Sequence, residues 1–369
     1  MIYVHPMGER TELVVTTRGK SQQHKSIRAI EPLSVQTPGG RMEVRWDYEA
    51  SATPSAQLAF FAEFLHSTGV YDAWLNSCPL HYTSGNAPQV SDVLGTWLLS
   101  ILSGHKRYAH VTTLRGDRVS EQILGMKKIL SEDALRRALA RMSSTESENW
   151  LQPHLLSSMD AVLDRGWILD IDSTVKPLYG KQEGAEVGYN PHKPGRPSHV
   201  LHTYWVSHLR LVLDVVVSGG KQHASRYALP GLSALLDKLG EQKRPTLVRG
   251  DCGFGNEGFL TELESRQQPY LFKLRQTAGV KRLLARWFRR EDDWTEAGPS
   301  DQGWSAAEDK LQLAGWDRER RVVILRRRTR SSVALTRKAS DGEIELLLPA
   351  ENDVQVWEYA VLVTSVQPA

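Results

Sequence analysis

The sequence predicts an α/β protein in which a helical region precedes a mixed sheet with helices on its faces. Two observations predict this fold class. Residues 54–142 carry apolar side chains at helical spacing, whereas short apolar runs alternate with helical segments from Trp167 onward. The chain has 369 residues, which is enough for two or three domains.

Composition and charge narrow the class of protein. The chain is 40% hydrophobic and 24% charged, and its net charge of +3 does not by itself point to nucleic acid. Its two cysteines, Cys78 and Cys252, can form neither a disulfide framework nor a four-ligand zinc site. The start lacks a basic-then-apolar leader, and no apolar run reaches the roughly 18 residues of a membrane span. We therefore expect a cytoplasmic protein without a membrane partner.

The N-terminal part divides into an arm and a helical region. Residues 1–40 are polar and end in TPGG, so we expect a flexible arm with a short strand at ELVV, the alternative being a disordered terminus. Residues 41–150 form a predicted helical domain that is a candidate for DNA binding. Its clearest helix is VSDVLGTWLLSIL, followed by Gly104 as a stop, and SEDALRRALARM follows with Ser131 as a cap.

Residues 151–287 alternate strands and helices. WILDIDST, HVLHTYWVSH and LRLVLDVVVSGG read as three successive strands. A helix with a leucine stripe from Leu232 to Leu239 follows, then the strand TLVRGD, a helix that Asn256 could cap, and the strand PYLFKLRQ. Three meandering strands followed by helix–strand alternation predict a mixed sheet with flanking helices.

The pattern changes after residue 287. RERRVVILRRRTR, EIELLLP and VWEYAVLVTS read as strands, so residues 288–357 are predicted to be an insertion rich in β-structure. Trp294, Trp304 and Trp316 are interpreted as the core of this insertion. Residues 358–369 are predicted to return towards the preceding sheet.

The segment TLVRGDCGFGNEGFL contains the pattern G-x-G-x-x-G at residues 253–258. A dinucleotide turn requires a pyrophosphate close to these glycines and an acid about 20 residues later. Asp251 would repel the phosphates, Lys273 stands where the acid is expected, and the strand is the fourth of its sheet rather than the first. The pattern therefore does not favour a dinucleotide site, and Asp251 becomes the candidate functional group.

A second acidic segment, LDIDST, completes the candidate site. Side chains alternate along a strand, so Asp170 and Asp172 face the same side of the sheet. Asp172 lies nearer the strand end and is the favoured ligand, with Asp170 as a supporting or alternate group. Asp172 and Asp251 on neighbouring strands suit Mg²⁺ or Mn²⁺, and two such ions can serve phosphodiester displacement. The alternative is an aspartate that caps a strand-to-turn junction.

Basic and aromatic residues provide candidate DNA contacts. The loop GYNPHKPGRPSH supplies Tyr189 for stacking and a basic cluster consisting of His192, Lys193 and Arg196. In RERRVVILRRRTR, alternation places Arg326, Arg328 and Arg330 on one face, which suits a phosphate backbone. The alternatives are a solvated turn and an edge strand protected by charge. We interpret His202, His208 and His223 as structural residues and Cys252 as a packing residue.

LDIDSTVKPLYGKQEGAEVGYNPHKPGRPSH followed by LVRGDCGFGNEGFL resembles the DDE transposases of bacterial insertion sequences. The closest resemblance is to the branch with a β-rich insertion in a ribonuclease H-like catalytic domain, and it covers about residues 165–365. It implies a ribonuclease H-like core and metal-dependent DNA cleavage and strand transfer by a homo-oligomer on transposon ends and target. It makes Asp172 and Asp251 the first two acids of the catalytic triad.

The third acid of this family is a glutamate on a helix after the insertion. This chain ends at Ala369, about four residues after VLVTS, and Glu358 lies in a predicted strand, so no residue is assigned to that role. We therefore expect a truncated copy whose activity is an open question. The alternatives are a catalytically inactive DNA-binding remnant and another ribonuclease H-like nuclease, with a nucleotide oxidoreductase as the most distant one.

Overall fold

The protein divides into two compact units in a computed structural model of the chain. The first unit ends at His154 and the second begins at Leu155. The structure describes residues 33–37, 40–44, 53–55, 57–190, 193–221, 224–290, 293–296, 298, 303–330, 335–338, 344–347 and 355–367. The predicted strand at ELVV lies outside these residues.

In the described residues up to Ser157, the chain forms a hairpin and six α-helices. They are β1 (Leu33–Thr37), β2 (Gly40–Val44), α1 (Leu58–Thr68), α2 (Val70–Asn76), α3 (Val90–Leu102), α4 (Arg118–Ile123), α5 (Glu132–Leu139) and α6 (Ser144–Ser157). The antiparallel β1–β2 hairpin was not predicted, because TPGG was interpreted as the end of an arm. Thr37 instead ends β1, and Gly40 begins β2. The predicted helices are confirmed.

Local signals explain where these helices begin and end. Gly69 ends α1 in the left-handed region at φ 65°, and Gly104 has φ 69° just beyond α3. The Ser131 hydroxyl accepts a hydrogen bond from the Ala134 N–H at 3.3 Å, as a capping residue should. The apolar stripe of α3 is buried, with Val93 and Leu94 fully inside the core of this unit.

The second unit combines three helices with twelve strands in its described residues. The strands are β3 (Ile168–Pro177), β4 (Glu186–Val187), β5 (Pro197–Val206), β6 (Leu211–Gly219), β7 (Leu247–Gly250), β8 (Tyr270–Lys273), β9 (Thr295–Glu296), β10 (Trp304–Leu311), β11 (Arg320–Arg330), β12 (Leu335–Lys338), β13 (Ile344–Leu347) and β14 (Gln355–Thr364). The helices are α7 (Ala224–Leu239), α8 (Glu257–Ser265) and α9 (Ala278–Trp287).

The predicted mixed sheet is built from β3, β5, β6, β7 and β8. Their order is β6-β5-β3-β7-β8, with β3, β5 and β6 antiparallel and with β3, β7 and β8 parallel. Numbered along the chain, this is the order 3-2-1-4-5, and α7 and α8 connect the last three strands. The arrangement confirms the ribonuclease H-like fold class that was expected from the sequence. The leucine stripe of α7 is fully buried at Leu232, Leu235 and Leu236.

The strands of the predicted insertion extend this same sheet. β14 lies between β8 and β11 and pairs antiparallel with both, and β10 and β9 follow beyond β11. β12 and β13 form a separate hairpin. Trp316 is buried in a core shared with the preceding strands, and Trp294 packs against that core. Trp304, which was also predicted to be core, is half-buried and lies under the Arg327 guanidinium. The insertion and the preceding strands are therefore continuous through backbone hydrogen bonds.

A buried arginine ties β11 to α8. Arg320 exposes only 3% of its side chain and donates to Glu257 at 2.7 Å and to Glu264 at 2.8 Å. A third carboxylate, Asp317, lies 3.1 Å away. The hydrogen bond from Arg320 lowers the pKa of Glu257 from 4.5 to about 2. A buried guanidinium needs such partners, since an unpaired charge inside a protein is costly. No helix among the described residues is long and apolar enough to cross a membrane.

Replacing Glu257 with Gln should remove a pH-dependent part of the stability. Because the folded-state pKa of Glu257 is depressed, its contribution is fully present above about pH 4.5 and is lost as the pH falls through about 2. Chemical denaturation at pH 7 should show E257Q to be less stable than wild type, with the gap closing between pH 4.5 and pH 2. The exposed Glu183→Gln should show no such trend. A gap that is constant over this range would contradict the account.

Candidate active site

The two candidate aspartates follow the last paired residues of two parallel strands. In the register of β3 with β7, Asp170 is opposite Arg249 and Ile171 is opposite Gly250. Asp172 is the next residue within β3, and Asp251 is the first residue after β7. Parallel strands lie about 4.8 Å apart, and residues in register face the same side. The pairing therefore brings the two aspartates, 79 residues apart in sequence, to one edge of the sheet.

Asp170 has a protein partner. Its carboxylate accepts hydrogen bonds from the Arg249 guanidinium, one of them at 3.0 Å, and its side chain is largely buried. This hydrogen bond raises the pKa of Arg249. The Arg249 charge offsets the Asp170 carboxylate, so this group already has a partner within the protein. Its role as a supporting or alternate group stays a prediction.

Asp172 and Asp251 have a different environment from Asp170. Both are exposed, and each accepts one backbone hydrogen bond, from Ser173 N–H at 2.7 Å and from Gly253 N–H at 2.8 Å. Within the described part of the chain, neither forms an ion pair with a lysine, arginine or histidine. Each carboxylate thus keeps oxygen lone pairs for another ligand.

Gly250 permits the close approach behind the two acids. A Cβ at this position would lie 2.8 Å from Ile171 Cγ1 and 2.8 Å from Phe254 Cδ2. Phe254 is buried and packs edge-to-face on Phe259, with ring centroids 5.3 Å apart. The glycine in RGD therefore lets the turn after β7 fold back onto β3.

The glycine-rich turn itself serves Asp251. The Gly253 N–H donates a hydrogen bond to the Asp251 carboxylate. This amide is therefore not available to bind a phosphate. A Cβ at Gly255 would lie 2.7 Å from Leu274 Cδ2, so this glycine is required for packing. Asn256 stands at the N-cap of α8, but its side-chain amide donates to the Gly253 carbonyl at 3.2 Å and does not cap the helix. The prediction of a capping role for Asn256 was wrong.

Behind Asp172, a histidine links three strands. His202 on β5 is buried, with its Nδ1 at 2.8 Å from Ser173 Oγ and its Nε2 at 3.0 Å from Ser218 Oγ. Burial lowers the pKa of His202, so the ring is neutral at neutral pH. On the other face of β5, the Thr203 hydroxyl donates to the Asp172 carbonyl at 3.4 Å. Sequence analysis classed His202 as structural, and only the strand register reveals its place beside Asp172.

The basic loop between β4 and β5 is exposed. Tyr189 is 79% exposed, and Lys193 and Arg196 are also on the surface. The Arg196 guanidinium lies 4.3 Å from the ring centre of Tyr179, an aromatic side chain that the sequence analysis did not single out. His192 lies outside the described residues. Arg196 of this loop thus stacks on Tyr179 from the segment between β3 and β4, and Tyr189 is a further exposed ring.

Of the β11 arginines that were predicted to contact DNA, Arg326 is half-buried and Arg328 is exposed to solvent. Arg326 and Arg328 face the same side, as predicted, and their guanidinium carbons lie 4.5 and 5.0 Å from the Trp357 ring centre. Arg326 is also 4.0 Å from the Trp294 ring centre, so it is held between two tryptophans. The side chain of Arg330 lies outside the described residues. The role of these arginines in DNA binding stays a prediction, and Arg326 has a clear packing role.

A cavity of about 620 Å³ opens beside the turn that carries Asp251. Its lining includes Lys273, Arg275, Trp357 and Tyr359, together with Cys252. Cys252 is thus half-exposed at a cavity wall rather than enclosed in packing. Glu358, which received no role from the sequence, also lines this cavity and pairs with Arg327 at 2.7 Å.

The residues present fit a divalent metal in part. Two exposed carboxylates at one sheet edge offer the hard oxygen ligands that Mg²⁺ and Mn²⁺ prefer. In the described ranges, however, no group of three His, Cys, Asp or Glu residues is placed to share one ion. The site therefore offers two exposed carboxylates as candidate ligands, and their role in metal binding stays a prediction.

The sheet order and its flanking helices define a ribonuclease H-like fold. The profile of a family described as transposase DDE domain group 1 matches residues 61–337. The chain belongs to this family. A search of curated proteins found no significant match.

Solved structures that match this chain include two kinds of transposase complex. One is the piggyBac transposase synaptic complex with hairpin DNA, at 12% identity and a TM-score of 0.32, covering 88% of this chain and 55% of that one. Another is the Mos1 mariner paired-end complex with Mn, at 13% identity and a TM-score of 0.20, covering 65% of this chain and 82% of that one. The chain thus spans about half the length of the piggyBac chain.

Replacing Gly250 with Ala should destabilise the second unit. The added methyl would overlap Ile171 and Phe254, and overpacking of this kind costs about 1–3 kcal/mol. Urea denaturation should show this loss for G250A. Gly298→Ala is the matched control, since a Cβ there meets open space. Equal stability of G250A and wild type would show that the turn does not need this close approach.

Proposed function

We propose that this protein is a DNA transposase that cleaves the ends of an insertion sequence and transfers the freed strand to a target. The observation that carries the proposal is the placement of Asp172 and Asp251 directly after the last parallel pair of β3 and β7. Family membership supports it, since the profile covers most of the strands that build this site. The further proposal is a homo-oligomer that acts on DNA in the cytoplasm.

The chemistry assigns a role to each group at the sheet edge. Asp172 and Asp251 would hold Mg²⁺ or Mn²⁺, and such ions stabilise the attacking and leaving oxygens of a phosphodiester displacement. The Ser173 and Gly253 amides orient the two carboxylates through their hydrogen bonds. Arg249 neutralises Asp170, which keeps the total negative charge near the phosphates low. No residue is assigned to the third acid.

The basic loop between β4 and β5 supplies a DNA surface in this proposal. Lys193 and Arg196 would contact phosphates, and Tyr189 would stack on an unpaired base. Tyr179 lies seven residues beyond Asp172, which is about 23 Å for an extended chain. The loop would therefore contact DNA several base pairs from the cleavage point and would position the duplex rather than react with it.

A DNA-binding protein without catalysis is the second candidate. The absence of a three-ligand cluster within the described residues favours it. Binding and cleavage assays with and without Mg²⁺ separate the two candidates. Cleavage is also compared between random duplex, an RNA–DNA hybrid and the duplex that flanks the gene. Cleavage of the random duplex or the hybrid in preference to the flanking duplex would indicate a different ribonuclease H-like nuclease.

Removing either acid should abolish metal-dependent cleavage. Asp172→Asn and Asp251→Asn keep the size of the side chain but remove its charge, and a misplaced ion can cost about a hundredfold in rate. Gel-based cleavage of duplex DNA flanking the gene, with Mg²⁺ or Mn²⁺, measures this loss. Asp164→Asn, an exposed acid away from the sheet edge, is the control. Undiminished cleavage by D172N and D251N would refute the assignment.

Removing the loop cations should weaken DNA binding in a salt-dependent way. Each of Lys193→Ala and Arg196→Ala should lower the slope of log K against log salt by about 1, because one phosphate contact is lost. Fluorescence anisotropy with a labelled duplex over a salt series measures the slope. Arg318→Ala is the matched control, since Glu264 already pairs with that charge. An unchanged slope for both loop variants would place the DNA elsewhere.

A further inference from the structure

A buried hydrogen-bonded chain crosses three strands beneath Asp172. It runs from Ser173 on β3 through His202 on β5 to Ser218 on β6, with heavy-atom distances of 2.8 and 3.0 Å. Register places Ser173 directly opposite His202. The chain therefore begins at the residue that follows Asp172, on the opposite face of the same strand.

One set of hydrogen positions satisfies every polar group in this chain. The Ser173 hydroxyl donates to Nδ1 of a neutral His202, and Nε2–H donates to Ser218 Oγ. The Ser218 hydroxyl can then donate to the Gly219 carbonyl at 3.5 Å. A buried polar group with a complete set of partners avoids the cost of desolvation, and it holds its neighbours in one geometry.

His202 is a polar residue on the inward face of β5. The inward residues that follow it, Tyr204 and Val206, are buried in the core that contains the leucines of α7. His202 is also buried and lies flat against Tyr227, with ring centroids 6.3 Å apart. An apolar side chain would pack against α7 as its neighbours do. The histidine adds a link to Ser173 that an apolar residue cannot make.

The same part of β5 holds Asp172 from the other face. Thr203 donates to the Asp172 carbonyl, while His202 holds the Ser173 side chain. The Ser173 amide in turn donates to the Asp172 carboxylate. Two consecutive residues of β5 therefore fix the peptide that joins Asp172 to Ser173, and this peptide orients the acid.

We infer that His202 is a positioning residue for the Asp172 carboxylate, acting through Ser173 to hold that carboxylate ready for a divalent cation. This inference rests on the proposed function, which makes Asp172 a metal ligand. Groups that orient metal ligands are typically worth about 10–100-fold in metal affinity. His202 itself does not touch the ion, so its effect is measurable as affinity for Mn²⁺ in the absence of DNA.

Two conservative variants test separately the hydrogen bonds made by the two ring nitrogens of His202. His202→Asn keeps a polar atom near the Nδ1 position and can still bond Ser173, whereas His202→Gln keeps one near Nε2 and can bond only Ser218. Mn²⁺ affinity, measured by electron paramagnetic resonance on the full chain, should be close to wild type for H202N. For H202Q it should fall about tenfold or more. Ser173→Ala should behave like H202Q.

Controls make each outcome decisive. Tyr204→Phe removes a buried hydrogen bond to the Ala228 carbonyl from the same face of β5, so it should lower the melting temperature and leave Mn²⁺ affinity unchanged. If D172N binds Mn²⁺ as wild type does, the proposed function fails. If D172N loses Mn²⁺ while H202N and H202Q bind it equally, the inference about His202 fails. A loss in Y204F equal to that in H202Q would also overturn it.

Discussion

The parallel pairing of β3 with β7 is the interaction on which the site depends. It ends at Ile171 and Gly250, and the two aspartates follow at once. Gly250 allows the strands and the next turn to pack within van der Waals distance. A shift of one residue in this register would turn one acid to the opposite face of the sheet, because side chains alternate along a strand. The position of the two candidate ligands therefore depends on the register of the sheet and on the turn that directly follows β7.

Each aspartate is supported by a different part of the chain. β5 holds Asp172 through His202 and Thr203, whereas Asp251 belongs to a turn that leads into α8. Arg320 on β11 binds Glu257 in the first turn of α8, so the far strands of the sheet help to fix the end of that turn. Since β14 joins these strands to β8, a disturbance in the predicted insertion can reach Asp251 through ordered elements.

Periodicity predicted much of the fold, whereas the choice of Asp172 and Asp251 rested on strand-end position and family resemblance and stays a prediction. Strand alternation placed Asp170 and Asp172 on one face, and the leucine spacing of α7 predicted its buried side. The partners of these residues could not be predicted, because they come from distant parts of the chain. Arg249 is 79 positions from Asp170, and Arg326 lies between two tryptophans from separate segments. His202 could be placed inward by alternation, but its bond to Ser173 depends on a register that no local pattern sets.

The most direct test of the account is a crystal structure of the full chain with Mn²⁺, read from the anomalous signal of the metal. The account predicts a peak at the edge of the sheet with carboxylate oxygens of both Asp172 and Asp251 at roughly 2.0–2.6 Å. Arg249 should remain bound to Asp170 in that structure. A peak that is bound by only one of the two aspartates, or that lies elsewhere in the protein, would contradict the central claim.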